Sequence, residues 1–226
     1  IAWGMNEIVN INYSGPLPAS GAGLRMMWIP TLSAFRVGAV SGPQWDVDSL
    51  GLNTYAIGNN HTVKGSFSGA LGGLSATING VKSGVLAGDA NVVDSAAQNT
   101  AIVAGLSNYT NNLFGFIGGG ANNSLESSAS GSGIVGGVAN NIYTLYSTIA
   151  VGGGNTRGLQ NASSGLDLFI GGSRSCGIVD ARGSAILGGA QDSIQDGDYT
   201  LILGGTYHSV SGDKNLVAVG DSSTIQ

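Results

Sequence analysis

Ile186-Leu187-Gly188-Gly189 and Ile202-Leu203-Gly204-Gly205 are one phrase written twice, sixteen residues apart. Working outward, it returns as Phe169-Ile170-Gly171-Gly172, Ile134-Val135-Gly136-Gly137 and Phe116-Ile117-Gly118-Gly119. Looser copies around Ile57, Leu71, Ala87, Ala104, Val151 and Val219 complete a series of anchor glycines: Gly58, Gly72, Gly88, Gly105, Gly118, Gly136, Gly152, Gly171, Gly188, Gly204 and Gly220. Successive anchors lie 13 to 19 residues apart and average about 16. A sustained period of this length is the signature of a solenoid. An apolar residue returns about six positions after most anchors, as at Val63, Ile78, Val93, Leu125, Ile142, Ile194, Val210 and Ile225, often preceded by Asn or Ser. Each unit therefore reads as a short strand, a glycine corner, a second short strand and a loop. Runs this short suit strands and not helices. Glycine supplies a positive φ or a close backbone approach at the corner, and Asn suits the left-handed region of a turn. Eleven such coils at strand spacing would span roughly 50 Å. The expected fold is all-β: a parallel β-solenoid or β-roll of about eleven glycine-cornered coils.

Composition agrees. Of 226 residues, 42% are hydrophobic, 9% are charged and 40 are glycine. That is too apolar for simple disorder, and glycine lacks the triplet period of collagen. The net charge of −5 is thinly spread, without the basic patch that nucleic acid demands. No apolar run reaches the length of a membrane-spanning helix. Cys176 is the lone cysteine, so no intrachain disulfide forms; core or turn filling is its expected role. The chain begins at Ile1 and reads as a fragment or processed product.

Three regions follow. Residues 1–23 are a lead-in: Ile8-Val9-Asn10-Ile11-Asn12-Tyr13 alternates like a strand, and 14–23 is turn or linker. Residues 24–52 break the period and form a neck or cap, because an end coil otherwise exposes its apolar face and strand edge. Arg25 and Arg36 are its bases, expected to serve structure beside Asp46 or Asp48. Residues 53–226 are the repeat domain.

The stretch Arg25-Met26-Met27-Trp28-Ile29-Pro30, Ser33-Ala34-Phe35-Arg36-Val37-Gly38, Gln44-Trp45-Asp46 and Tyr55-Ala56-Ile57-Gly58 resembles phage tail fibre and adhesin proteins that carry an endosialidase-type intramolecular chaperone at their C-terminus. The Gly-Gly coils are similar to the head repeats of those fibres and, more loosely, to the heads of trimeric autotransporter adhesins. The resemblance implies an intertwined or side-by-side homotrimer on a virion tail or a bacterial surface. It also implies attachment to other tail proteins through the N-terminal side, and a chaperone removed by self-cleavage. The chain stops at Thr224-Ile225-Gln226, inside the repeat, as a cleaved fibre or a trimmed piece would. The residues also favour an oligomer, since a thin coil encloses few side chains.

Chemistry-bearing residues are sparse. Calcium-binding solenoids need Asp after the glycine pair, whereas here Ala, Val, Ser or Thr follows, as at Ala190 and Thr206. Gly118-Gly119-Gly120 lacks the helix a dinucleotide site requires. His61 and His208 are far apart in coil number and are not read as a metal pair. The threonines fall at no fixed coil position, against an ice-binding array. Neither cofactor nor metal is expected. A polysaccharide-cleaving spike would need two carboxylates across a groove, and Asp192, Asp196 and Asp198 cluster around one loop. Asp196-Gly197-Asp198 is first a turn signal. The preferred reading is therefore non-enzymatic recognition of a host-cell glycan or protein. Rings supply area and amides supply hydrogen bonds, and the candidates are Tyr109, Asn111, Asn112, Tyr143, Tyr146, Tyr199 and Tyr207. The longest coils run through 124–132 and 157–168.

Overall fold

The computed structural model describes residues 20–154 and 167–226, together with the backbone of two short strands at 8–10 and 156–157. The linker at 14–19 and most of the long coil at 157–168 fall outside the described residues.

The chain winds into a β-solenoid of about eleven turns. Each coil gives a short strand to each of two sheets. The first sheet passes through Tyr55–Asn59, Gly69–Leu74, Gly84–Val85, Ala101–Ile102, Phe116–Ile117 and onward to Leu216–Val217. The second passes through Thr62–Val63, Thr77–Ile78, Val92–Val93, Tyr109–Thr110 and onward to Thr224–Ile225. Neighbours in each sheet are parallel and one coil apart, so Ala101–Ile102 pairs with Gly84–Val85 on one side and with Phe116–Ile117 on the other.

Alternation on these strands turns one side chain inward from each. Ile102, Ile117, Ile134, Ile149, Ile170, Ile186 and Ile202 form one interior row, all with no exposure. Val93, Leu125, Ile142, Ile178 and Ile194 form the facing row and are equally buried. Each such side chain contributes about 1.5–3 kcal/mol on leaving water. β-branched residues dominate because two branches on Cβ suit a pleated strand.

Two rows of left-handed residues turn the coil. One holds Asn60, Ser75, Ala90, Ser107, Asn122 and Ala139; the other holds Asn53, Phe67, Lys82, Asn99, Phe114 and Tyr146. Side chains other than Gly, Asn and Asp adopt this conformation only under constraint, and the stack supplies it. Most amides of a coil donate forward, as Leu106 N does to Gly120 O at 2.9 Å. The left-handed residue reverses its peptide and donates backward: Ser107 N to Asp89 O and Phe114 N to Gln98 O, both 2.9 Å.

Glycine stands two residues before the first of these rows in most coils, with Ser173 in the equivalent place between Gly152 and Gly189. Gly105 has φ +106, and a Cβ there would lie 2.1 Å from Gly120 O of the next coil. The anchors read from sequence coincide with this position at Gly58, Gly88, Gly105 and Gly220, which share a positive φ. In other coils the requirement falls just after the anchor: Gly137 has φ +107 and a Cβ contact of 1.9 Å to Gly152 O, whereas Gly136 has no neighbour within 4 Å.

The neck is part of the first sheet. Gly23–Ile29 and Ala34–Val40 form an antiparallel hairpin whose second strand pairs in parallel with Tyr55–Asn59. The Ile8–Asn10 strand lies parallel to Met26, Met27 and Trp28. Trp45 is fully buried and donates from Nε1 to His61 O at 3.1 Å. Arg36, also fully buried, donates to the carbonyls of Phe35, Thr54 and Val63 and to Thr54 Oγ1. Burial lowers its pKa to about 10. Arg36 thus donates to carbonyls of the first coil, and Asp46 Oδ1 accepts from Gly21 N at 2.8 Å.

Candidate functional site

Residues that follow the left-handed rows point into the solenoid. Asn91, Asn108, Asn123 and Asn140 stack there with no exposure. In this ladder Oδ1 of Asn91, Asn108 and Asn123 each accepts from the backbone N–H and from Nδ2 of the Asn one coil on, at 3.0–3.1 Å. Nδ2 also donates to two carbonyls; for Asn108 these are Ala104 O at 3.2 Å and Gly120 O at 3.1 Å. The sequence reading treated such amides as turn formers. The turn belongs instead to the residue before each, as at Ala90 and Ser107. Ser68, Ser83, Ser132, Ser147, Ser184 and Thr200 line the opposite corner in the same way, as where Ser83 N donates to Ser68 Oγ at 3.0 Å. Both rows satisfy backbone groups in the interior.

His61, Cys176, Asp192 and His208 occupy the same interior row as the asparagines, and all are buried. Their role is structural in position. His61 Nδ1 accepts from Ala76 N at 3.1 Å, and Asp192 Oδ1 accepts from His208 N at 2.9 Å. Asp192 thus turns inward, while Asp196 lies at a left-handed turn and Asp198 N donates to Asp213 Oδ1. The three acids proposed for glycan cleavage do not converge on one cleft. Among the described residues, no group of three His, Cys, Asp or Glu side chains is placed to hold a metal ion.

The recognition candidates separate into four places. Asn112 is buried, accepts from Thr110 Oγ1 at 2.7 Å and donates to Ala129 O at 2.6 Å, so it braces the core and is withdrawn from the surface. Tyr146 and Tyr199 stand on one corner edge, each ring over a glycine of the preceding coil, Gly131 and Gly183. Tyr207 stands on the other corner row, exposed. Tyr109, Asn111 and Tyr143 come together on the outer face of the second sheet.

That face is the coherent polar surface. Register stacks Val92, Tyr109, Ser124 and Asn141 in one outward column. Two residues on, Asp94, Asn111, Glu126 and Tyr143 form the next column. The columns are cross-bonded: Tyr109 Oη donates to Asp94 Oδ2 at 2.9 Å, Ser124 Oγ to Glu126 Oε1 at 2.7 Å and Asn141 Nδ2 to Tyr143 Oη at 2.6 Å. Asn111 Oδ1 and Asn141 Oδ1 are shielded from solvent by the neighbouring side chains and have no hydrogen-bond partner. Burial, reinforced by the Asp94 carboxylate, pushes the Tyr109 phenol up to about 12. Hydrogen bonds from Ser95 and Tyr109 hold Asp94 below the usual carboxylate range. The face thus offers fixed ring edges and two carboxylates, with amides packed between them, on a strip four coils long, roughly 15 Å.

The sequence named the tyrosines and Asn111. It missed Asp94, Ser124, Glu126 and Asn141, which the solenoid period, counted from Tyr109, places alongside. Comparison of the chain with family models, curated proteins and solved structures returns no match.

Proposed function

We propose that this chain is the structural and receptor-binding module of a viral tail fibre, assembled as a homotrimer and displayed outside the host cell, where the outer face of its second sheet binds a cell-surface glycan. The observation that carries this reading is the cross-bonded polar strip of Asp94, Tyr109, Asn111, Glu126, Asn141 and Tyr143 on a rigid rod. Its side chains are ordered before any ligand arrives, which lowers the entropy of binding. Its mixture of aromatic area, amides and carboxylates matches the hydroxyl-rich, partly apolar surface of a sugar. Display on a bacterial surface as an adhesin would use the same face in the same way.

A glycan array and a host-cell binding assay with the labelled protein test the proposal. Tyr109→Ala, Asn111→Ala and Tyr143→Ala each should weaken binding by at least about tenfold, the loss of one or two good contacts, while circular dichroism stays unchanged. Unchanged binding in all three would overturn the assignment of this face. Shortened glycans on the array would instead show an enzyme, with Asp94 and Glu126, two coils or roughly 10 Å apart, as its carboxylates.

A further inference from the structure

The outer face of the first sheet is the chemical opposite of the second. Its outward columns begin at Tyr55 and Ile57 and run one residue either side of the buried row to Leu216 and Ala218. Every position between is Gly, Ala, Val, Leu, Phe or Thr148, and none is charged. Large side chains stand half in water: Leu86 is 48% exposed, Phe116 44%, Val135 52% and Leu187 46%. The second sheet, by contrast, points Lys64, Asp94 and Glu126 outward at the equivalent column.

We infer that this apolar face is where copies of the chain pack side by side, parallel and in register, to form the oligomer. The assignment deepens the proposed function and rests on it only for the number of copies. Two arguments select a second copy over any other partner. The first is area. A strip of about eleven coils is roughly 50 Å long, and two outward columns with their side chains are about 15 Å wide, giving on the order of 750 Å². That exceeds the 300–600 Å² apolar patch of an ordinary monomer and comes close to the ~800 Å² per partner of a stable interface. The second is pitch. Bulky Phe116 and Phe169 stand in the same column as Gly84 and Gly133, one residue per coil, so the face is a row of knobs and hollows spaced by the coil rise. A copy of this chain carries the same rise and stays in step along the whole rod. With no charge on the face, nothing in it selects a partner of opposite sign.

Light scattering on the wild-type chain and on a Leu86→Glu/Leu187→Glu double variant tests the inference. Both side chains point away from the core, so the β-sheet circular dichroism should be retained. The wild type should weigh at least twice 22.5 kDa, in whole multiples of it, and the variant should weigh 22.5 kDa. A variant that keeps the wild-type mass overturns the inference. So does a wild type that is a monomer, which would leave the face to a different protein. Should the double variant fail to fold, Ala101→Cys in the otherwise wild-type chain gives an independent reading, because Cys176 is buried and silent. A thiol reagent should label position 101 at least about tenfold faster on dilution to monomer than in the assembly, and equal rates at all concentrations overturn the proposal. The Tyr109, Asn111 and Tyr143 variants touch the opposite face, so loss of glycan binding there with no effect of the first-sheet changes would sink this inference and leave the receptor reading standing.

Discussion

At the scale of single residues, the interior amide ladder sets a rule that Asp192 breaks. Its Oδ1 does what every ladder oxygen does, accepting from the next coil at 2.9 Å. Its Oδ2 takes the place of the donor Nδ2 and is buried with no partner. Asp192→Asn restores a donor where Asn91 and Asn108 each find two carbonyls. An orphaned buried polar atom costs about 1–3 kcal/mol, so this change should raise stability by about that amount in chemical denaturation; a loss of stability would show that the ladder rule does not extend to this coil. His61 bears on pH. Burial lowers its pKa in the folded chain below the ordinary 6.5, and its Nδ1 accepts from Ala76 N. Between the folded value and 6.5 the unfolded chain therefore holds more protons, and stability rises with pH. The contribution is complete above about pH 6.5 and is lost as the solution is acidified through that window. His61→Asn keeps an acceptor for Ala76 N, and it should flatten the slope of stability between pH 5 and pH 7 in urea titrations. Tyr109 acts at the other end: its raised pKa leaves the phenol a donor to Asp94 at neutral pH, and that support fades only as pH climbs through about 10 to 12.

At the scale of the coil, backbone approach decides which glycines matter. A methyl group at Gly105 meets the Gly120 carbonyl at 2.1 Å and Asn108 Nδ2 at 2.6 Å, on a residue held at φ +106. Backbone of a neighbouring coil cannot give way without breaking the ladder, so Gly105→Ala should cost more than about 3 kcal/mol. Gly136→Ala, with nothing within 4 Å, should fall within about 1 kcal/mol of wild type and serves as the control in the same melting experiment; equal losses would contradict the assignment. This contrast also shows what the sequence revealed. The fold was legible because a strand of two or three residues must bury one aliphatic per coil, and Ile102, Ile117, Ile134 and their successors recur for that reason. The phase of the glycines was not legible, because Gly136-Gly137 offers two candidates and only the neighbouring coil distinguishes them. The inward amides escaped for a similar reason. Asn140-Asn141 reads as a turn, yet Ala139 makes the turn and Asn140 satisfies carbonyls inside. Of the recognition strip, Tyr109, Asn111 and Tyr143 were visible as rings and amides on polar stretches. Asp94 and Glu126 became neighbours only once the register was known.

For the whole molecule, stability is a chain of nearest-neighbour terms, since each coil touches only the coils before and after it. Such a stack frays from an uncovered end, and one end here is closed by identifiable groups. Trp45 is wholly buried and ties the neck to the first coil through His61 O, while Arg36 adds a second donor to the carbonyls of Thr54 and Val63, which also accept from Phe35 N and Gly51 N. Removing the indole leaves a cavity and an open first coil at once, a change of about 3–5 kcal/mol by the cavity term. The nearest-neighbour architecture dictates where that loss is felt. In Trp45→Ala, amide hydrogen exchange should accelerate strongly at Tyr55–Asn59 and Thr62–Val63, less at Gly69–Leu74, and hardly at all by the coil of Ala185–Ala190. A uniform acceleration along the rod would mean that the solenoid unfolds as one cooperative body and that the neck stabilises all of it. A graded profile would mean that the neck acts as a local clamp, with the long interior rows of isoleucine holding the remaining coils together without it.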